Sequence, residues 1–174
     1  MPDLLAHYAS SVLVATRVKV DTRIALLIGL VGLIPDVDAL FRIHKWITHS
    51  LVLVALIAVP LVILVYWRRR RYFGLALTTL LIYTLHLLLD IFTGPTPILY
   101  PLADSILIKI QVHGASTATD ITVTPSITVA TMKPDFTQME AVEGLLVRET
   151  GVILAVVTVV ILLLEYFIKP RNHH

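Results

Sequence analysis

Residues 72–94 read YFGLALTTLLIYTLHLLLDIFTG, and this segment is the strongest indication of the protein's architecture. It is long and apolar enough to cross a bilayer as one helix, because about 20 residues rising ~1.5 Å each span a hydrocarbon core of ~30 Å. His86 and Asp90 interrupt it with i, i+4 spacing, which puts both side chains on one helix face. Ionisable groups near hydrocarbon are costly, so this pair indicates a functional site with a compensating partner.

The composition of the whole chain also indicates a membrane protein. Of its 174 residues, 57% are hydrophobic and 15% charged, with a mean hydropathy of +0.86. One water-soluble core could not bury that much apolar surface. The formal charge of +2 does not indicate a nucleic-acid partner, because the basic residues concentrate in short loops beside apolar segments. The chain has no cysteine, so a bound metal would take nitrogen and oxygen ligands.

The hydrophobic pattern predicts five apolar helical segments, of which the last three are long enough to span. The first two would reach only about 20 Å and are expected to be partial spans. The five segments are residues 4–18, 22–34, 50–67, 72–93 and 150–168.

The basic residues predict the orientation of these segments. Three basic clusters, which follow segments one, three and five, fall on one side of an alternating five-segment path, and the positive-inside rule assigns that side to the cytoplasm. The N-terminus and residues 94–149 would then lie outside and the C-terminus inside. The residues concerned are Arg17, Lys19, Arg23, the run 68–71, Lys169 and Arg171.

Residues 94–149 change to Thr, Ser, Val and Ile with period-two alternation, which predicts a small antiparallel sheet. We expect a turn at 114–120, with Pro125 and Pro134 bounding the later strand. The predicted fold is therefore an all-α polytopic membrane protein of about five helices, the first two short, with an extracytoplasmic antiparallel β insertion before the last helix. We divide it into a helical metal-site domain at 1–102, the β-rich insertion at 103–149, and a C-terminal transmembrane helix and tail at 150–174.

This topology brings ionisable residues from several helix ends to the outer leaflet. They are His7, Asp36, Asp38, His44, His49, His86 and Asp90. Two carboxylates one residue apart, as at Asp36 and Asp38, repel each other unless a cation or protons neutralise them, and a divalent metal would suit them. Alternatives remain open: a structural hydrogen bond for the His86 and Asp90 pair, an acidic turn or helix cap for Asp36 and Asp38, and interfacial positions for the other histidines.

Two basic residues near these ligands are candidates for contacting a substrate phosphate. Arg42 and Lys45 lie between the acidic pair and His49 and would suit an anionic oxygen. Snorkelling of their side chains to the membrane interface is an equally simple explanation.

These motifs resemble the membrane-bound metal-dependent hydrolases, some of which are described as LexA-binding inner-membrane hydrolases. The resemblance covers roughly residues 1–102 and departs from the family at Trp46, which stands where the family usually has glycine and leaves the substrate class open. The matching pieces are His7, the IPDVD of residues 34–38, the block 44–50 ending in THS, HLLLDIFT at 86–93 and ILYPL at 98–102.

The resemblance implies phosphoester hydrolysis, because the family is thought to be distantly similar to zinc-dependent phospholipases C and single-strand nucleases. Those enzymes are all-helical and bind clustered metal ions through His and Asp. The carried-over metal ligands are His7, Asp36, Asp38, His49, His86 and Asp90, with Asp36, Asp38, His44 and Asp90 as candidate catalytic residues.

The leading hypothesis is a membrane hydrolase with two or three divalent ions, best zinc and otherwise manganese or magnesium, acting on phosphoester bonds of a lipid or lipid-linked substrate at the outer leaflet. One alternative is a metal- or proton-coupled transporter, although the inner halves of the segments offer little polarity besides Glu165. The other is a noncatalytic binding protein in which metal only links short helices together.

Overall fold

A computed structural model describes residues 3–18, 21–42, 45–103, 106–116, 120–140 and 147–168. Within these ranges the chain is mostly helical, with one two-stranded antiparallel sheet. The elements in chain order are α1 (Leu4–Thr16), α2 (Thr22–Gly29), a 3-10 helix (Leu30–Phe41), α3 (Leu51–Arg68), a 3-10 turn (Arg70–Tyr72), α4 (Phe73–Thr93), β1 (Ile106–Ser116), β2 (Ile121–Thr131) and α5 (Glu149–Ile168).

Three helical stretches in the described ranges are long and apolar enough to cross a membrane: Leu51–Arg68, Arg70–Thr93 and Glu149–Ile168. The prediction that only the last three apolar segments suffice for a span is confirmed. α1 has 13 residues and α2 has 8, so they extend only ~20 and ~12 Å. No residue of α3 is buried, as expected for a helix whose surroundings are lipid.

The side chain of Asp3 starts α1 and also joins it to α5. Its Oδ1 caps the helix by accepting from the backbone N–H groups of Leu5 and Ala6, at 3.1 and 3.2 Å. Its Oδ2 accepts from the backbone N–H of Arg148 at 3.1 Å, just before α5. A side chain at Gly151 would overlap the Asp3 carboxylate, so this glycine permits the close approach of the two helices.

The acidic pair lies on a 3-10 helix, whereas the sequence pattern ended the second apolar segment at residue 34 and left an acidic turn as one alternative for the pair. α2 ends at Gly29, and the chain continues in tighter 3-10 turns to Phe41 with Pro35 inside. A 3-10 helix has three residues per turn, so Asp36 and Asp38 point in different directions. Asp36 is buried and Asp38 only partly so.

The predicted antiparallel sheet is confirmed as a hairpin whose register runs from Ile106 opposite Thr131 to Ser116 opposite Ile121. Pro125 lies within β2, opposite Val112, and does not bound a strand as predicted. A ribbon of two strands leaves one edge of each strand unpaired, where a missing N–H costs nothing. The predicted turn starts later, because β1 continues to Ser116, and residues 117–119 fall outside the described ranges.

Small apolar side chains pack α1, α2 and α4 together on one side of the candidate site. The buried cluster consists of Ala15, Ala25, Ile28 and Ile82. Ile82 precedes His86 by about one turn of α4, so this apolar cluster packs next to the ionisable residues, one helical turn away from them.

Candidate metal centre

Four chain segments deliver ionisable side chains to one buried point. α1 contributes His7, the 3-10 helix contributes Asp36, and α4 contributes His86 and Asp90. His49 comes from the turn before α3, next to the helix cap Ser50, whose Oγ accepts from the backbone N–H of Leu53 at 3.0 Å. The five ionisable side chains are at most 7% exposed, with His49 and Asp90 at 0%.

Asp36, His49, His86 and Asp90 form what we call the four-ligand group, because one donor atom from each lies within 4.8 Å of the others. Asp90 Oδ2 is 2.9 Å from His49 Nε2 and 3.9 Å from His86 Nε2. Asp36 Oδ1 lies 3.7 and 3.8 Å from the same two nitrogens. Two imidazole nitrogens and two carboxylate oxygens thus face a common centre.

Hydrogen bonds on the far side of each imidazole orient these nitrogens. His86 Nδ1 lies 2.6 Å from the carbonyl oxygen of Gly32, which can only accept, so Nδ1 carries the proton. Thr48 Oγ1 donates to Asp38 Oδ2 at 2.7 Å and lies 3.0 Å from His49 Nδ1, which can donate to it. When both rings are neutral, as they are when a metal ion is bound, each presents an unprotonated Nε2 to the group, the arrangement that hydrogen bonds to the other ring nitrogen give to metal-binding histidines.

Several buried atoms of the site have no hydrogen-bond partner among the described residues: His86 Nε2, Asp36 Oδ2 and Asp90 Oδ1, together with His7 Nδ1. An unsatisfied buried polar atom costs about 1–3 kcal/mol, so such a cluster calls for a ligand that satisfies it. Imidazole nitrogens with carboxylate oxygens are a donor set for zinc, manganese or iron. The residues present fit a divalent metal ion.

His7 extends the group on its far side. Its Nε2 is 3.3 Å from Asp90 Oδ1, and its ring stacks on His86 with centroids 4.0 Å apart. One oxygen of Asp90 therefore faces His7 while the other faces His49 and His86. This orientation suits a carboxylate shared between two cations.

The two predicted phosphate contacts have different surroundings. Lys45 has a left-handed backbone with φ of 50°, and its Nζ is 2.6 Å from Asp90 Oδ2. Arg42 is exposed, and its carbonyl accepts from the backbone N–H of Met139 at 2.9 Å. His44, a predicted catalytic residue, lies outside the described residues.

The carboxylates set the charge state of the site. Burial opposes ionisation of Asp38, but hydrogen bonds from His49 and Thr48 outweigh it and lower the pKa of Asp38. Burial likewise disfavours a charged His49, yet hydrogen bonds to Asp36, Asp38 and Asp90 raise the pKa of His49 to about 10. The site attracts positive charge, which a metal ion can supply in place of a proton.

Thr48 and Gly32 are functional partners that the sequence reasoning missed. Thr48 directly precedes His49 in the sequence, and this adjacency was the one signal that Thr48 could contact the site. A further bond, from the Tyr83 hydroxyl to the Thr48 carbonyl at 2.7 Å, ties this residue to α4. Gly32 acts through its backbone carbonyl, and the residue type gives no signal of that.

Cavities lined by described residues adjoin the site on two sides. An elongated apolar groove of about 550 Å³ begins at Thr48 and runs between α3 and α4 as far as Val65 and Tyr72. A smaller one of about 230 Å³ lies beside Asp38 and is lined by Phe41, Trp46 and Phe136. Trp46, where the resembling family has glycine, is only 2% exposed and forms a wall of this smaller cavity.

A family model described as YdjM inner membrane protein matches residues 3–172, nearly the whole length. The description names a membrane location and no activity. No curated protein and no solved structure matches the chain significantly. The chain therefore belongs to the YdjM inner membrane protein family.

Proposed function

We propose that this member of the YdjM inner membrane protein family is a metal-dependent hydrolase of phosphoester bonds in a lipid or lipid-linked substrate. The observation that carries the proposal is the buried four-ligand group, several of whose polar atoms have no hydrogen-bond partner. A solely structural cluster of this kind would be expected to satisfy its polar atoms internally. An intramembrane cluster of unsatisfied ligands is better suited to binding a cation that takes part in chemistry.

Asp36, His49, His86 and Asp90 would hold a first metal ion. His7, 3.3 Å from the other oxygen of Asp90, would help to hold a second. A divalent ion bound there would lower the pKa of a coordinated water and stabilise negative charge on phosphoryl oxygens. Zinc suits the mixed imidazole and carboxylate set best, with manganese as an alternative.

Among the described residues, Lys45 is the one best placed to bind the substrate phosphate. Its ammonium group contacts Asp90 at 2.6 Å and its side chain is partly buried at the edge of the group. A lysine is a flexible point charge that can bind a phosphate oxygen while staying near the carboxylate. We assign it the role of orienting the phosphoryl group and balancing its charge.

The groove between α3 and α4 supports a lipid as the substrate. It starts at Thr48, which touches both Asp38 and His49, and its walls are almost wholly apolar. Between Leu53 and Val65 it follows α3 for ~18 Å, comparable to half of a ~30 Å hydrocarbon core. An acyl chain in the groove would present its headgroup phosphate to the four-ligand group.

The described residues give less support to a transporter. A permeation path needs polar groups on both sides of the site, whereas the buried cluster beneath His86 consists of Ala15, Ala25, Ile28 and Ile82. A noncatalytic role has one specific observation in its favour: the ligands come from separate segments, which a bound metal would link. That role predicts metal-dependent folding without turnover.

The test is phosphate or headgroup release from defined phospholipids in mixed micelles with added zinc or manganese. The wild type should turn over at least one phospholipid, and Asp90→Asn should lower kcat by more than a hundredfold while the protein stays folded. Asp21→Asn is the matched control, because Asp21 is exposed and its side chain makes no capping bond. Equal activity of the Asp90 variant and the wild type would refute the assignment. Metal-dependent stability with no turnover of any phosphoester would favour the noncatalytic role.

A further inference from the structure

The hairpin of β1 and β2 has one apolar face. In an antiparallel pair, directly opposite residues project to the same side of the sheet. The register sets Ile108 opposite Val129 and Ile110 opposite Ile127. The apolar side chains that share this face include Ile108, Ile110, Val112, Val123, Ile127 and Val129.

The opposite face is polar. Lys109 and His113, the only ionisable side chains of Ile106–Ser116 and Ile121–Thr131, both project to it. Three β2 hydroxyl residues, Thr124, Ser126 and Thr128, lie on the same side. The hairpin is thus amphipathic over ~20 Å from Ile108 to His113. At its base two apolar residues, Leu107 and Ala130, lie on the side of Lys109, and Leu107 is only 5% exposed because the protein covers it there.

The described residues leave much of the apolar face uncovered. Val123 is 66% exposed and Ile127 is 69% exposed, while Val112 and Val129 are each 59% exposed. An isolated two-stranded ribbon is marginally stable in water, and a contiguous exposed apolar face is typical of an interaction surface. Something outside the chain is expected to cover it.

The root of the hairpin lies where a bilayer is available. The backbones of Thr96 and Ile108 exchange hydrogen bonds at 3.0 and 2.9 Å, which holds β1 close to the end of the spanning helix α4. At its other end the chain returns to α5, also a candidate span. Both connections therefore begin at a membrane surface.

We infer that the hairpin lies on the membrane with its apolar face in the lipid interface and Lys109 and His113 toward water. The edges of a two-stranded ribbon carry unpaired backbone N–H and C=O groups, so it cannot enter the hydrocarbon core. It occupies the same depth as an interfacial amphipathic helix. The inference is independent of the proposed hydrolase activity.

The chain has no cysteine, so single labels can be placed on neighbouring residues that face opposite sides. Ile127→Cys and Thr128→Cys are the matched pair, since both positions are exposed and adjacent. Each would carry an environment-sensitive fluorophore in full-length protein, reconstituted in phosphatidylethanolamine and phosphatidylglycerol vesicles. Quenching by doxyl groups near the lipid headgroups is compared with quenching by aqueous iodide.

The expected result is at least threefold stronger lipid quenching and weaker iodide quenching at position 127 than at 128. Equal iodide access at the two positions would overturn the inference, because the apolar face would then be in water. Protection of position 127 from both quenchers would also overturn it, since a second copy or another protein would be the cover. The Val123→Cys and Thr124→Cys pair repeats the comparison nearer the hairpin tip.

Discussion

His86 and Gly32 are joined by a hydrogen bond of 2.6 Å between the ring Nδ1 and the backbone carbonyl oxygen. This bond fixes both the tautomer and the direction of the ring, so that Nε2 faces Asp36 and Asp90. The 3-10 helix thus supplies one ligand to the group through Asp36 and orients a second through its backbone.

Removal of the His86 imidazole should remove bound metal. We expect wild-type protein, purified without an affinity tag and loaded with zinc, to retain at least one ion per chain, and His86→Ala to lose it. The matched control is His113→Ala, which removes an exposed histidine from the hairpin. Elemental analysis of both variants checks this, and equal metal content in the His86 and His113 variants would contradict the site.

A methyl group at position 32 should disturb the site without touching a ligand. In Gly32→Ala the new Cβ would overlap Ser11 Oγ and approach Ile82 Cγ2 to 3.3 Å, which forces α1 away from the 3-10 helix. Overpacking of this kind costs about 1–3 kcal/mol. We expect a lower Tm in detergent and weaker zinc binding. Gly74→Ala is the control, because its added Cβ would meet nothing within 4 Å.

The same substitution can be tested by rescue. Ser11→Gly removes both Ser11 atoms that the added methyl group would meet, so the double variant should recover a large part of the lost Tm. If Gly32→Ala is as stable as the wild type, α1 and the 3-10 helix do not pack as closely as the structure indicates. If Ser11→Gly rescues nothing, the cause of the destabilisation lies elsewhere.

Replacement of Lys45 should separate phosphate binding from metal binding. Lys45→Met keeps most of the aliphatic length and removes the charge that lies 2.6 Å from Asp90. We expect kcat on a phospholipid to fall roughly a hundredfold, similar to the loss of one oxyanion donor, with zinc content unchanged. Lys45→Arg should recover part of the activity. Loss of zinc in Lys45→Met would instead make the lysine a structural partner of Asp90.

Narrowing the groove should select against long acyl chains. Ala76 lines the groove on α4, and Ala76→Trp is expected to raise KM for a long-chain phospholipid at least fivefold. KM for a water-soluble phosphodiester should not change, because that substrate needs only the metal site. Leu77→Trp, at a neighbouring position 48% exposed and outside the groove lining, is the control. Equal effects on both substrates would argue against an acyl chain in the groove.

Metal binding should release protons and strengthen with pH. The folded chain holds a proton on His49, whose pKa is raised to about 10, while the unfolded value is near 6.5. Between these values a metal ion must displace that proton, so its apparent affinity should rise by about tenfold per pH unit for one displaced proton. Calorimetry of zinc binding in buffers of different ionisation enthalpy at pH 7 measures the number released. A value of zero would show that His49 is neutral before metal binds.

Much of the candidate site could be predicted from sequence because membrane topology restricts the possibilities. The i, i+4 spacing of His86 and Asp90 fixes their common face once α4 is a helix. Alternation of the segments then brings His7 and His49 to the same side, where they contact Asp90 at 3.3 and 2.9 Å. The assignment of this side to the outside of the cell stays a prediction.

The path of residues 30–41 could not be predicted, because a 3-10 helix and an acidic turn differ in backbone hydrogen bonding more than in residue pattern. The roles of Gly32 and Thr48 depend on that path. Likewise, the period-two alternation predicted the strands but not that β2 would continue through Pro125, because a proline is tolerated at an unpaired strand edge.

Because the site residues come from four separate chain segments, the site can form only after all four have been synthesised. His7 leaves the ribosome first and Asp90 last, so the early histidine enters the bilayer before the carboxylate that it contacts exists. Until α4 inserts, the imidazoles have no complete set of neighbours and cannot retain an ion. Metal capture is therefore a late, post-insertion event, and a nascent chain arrested before residue 90 would fail to acquire it.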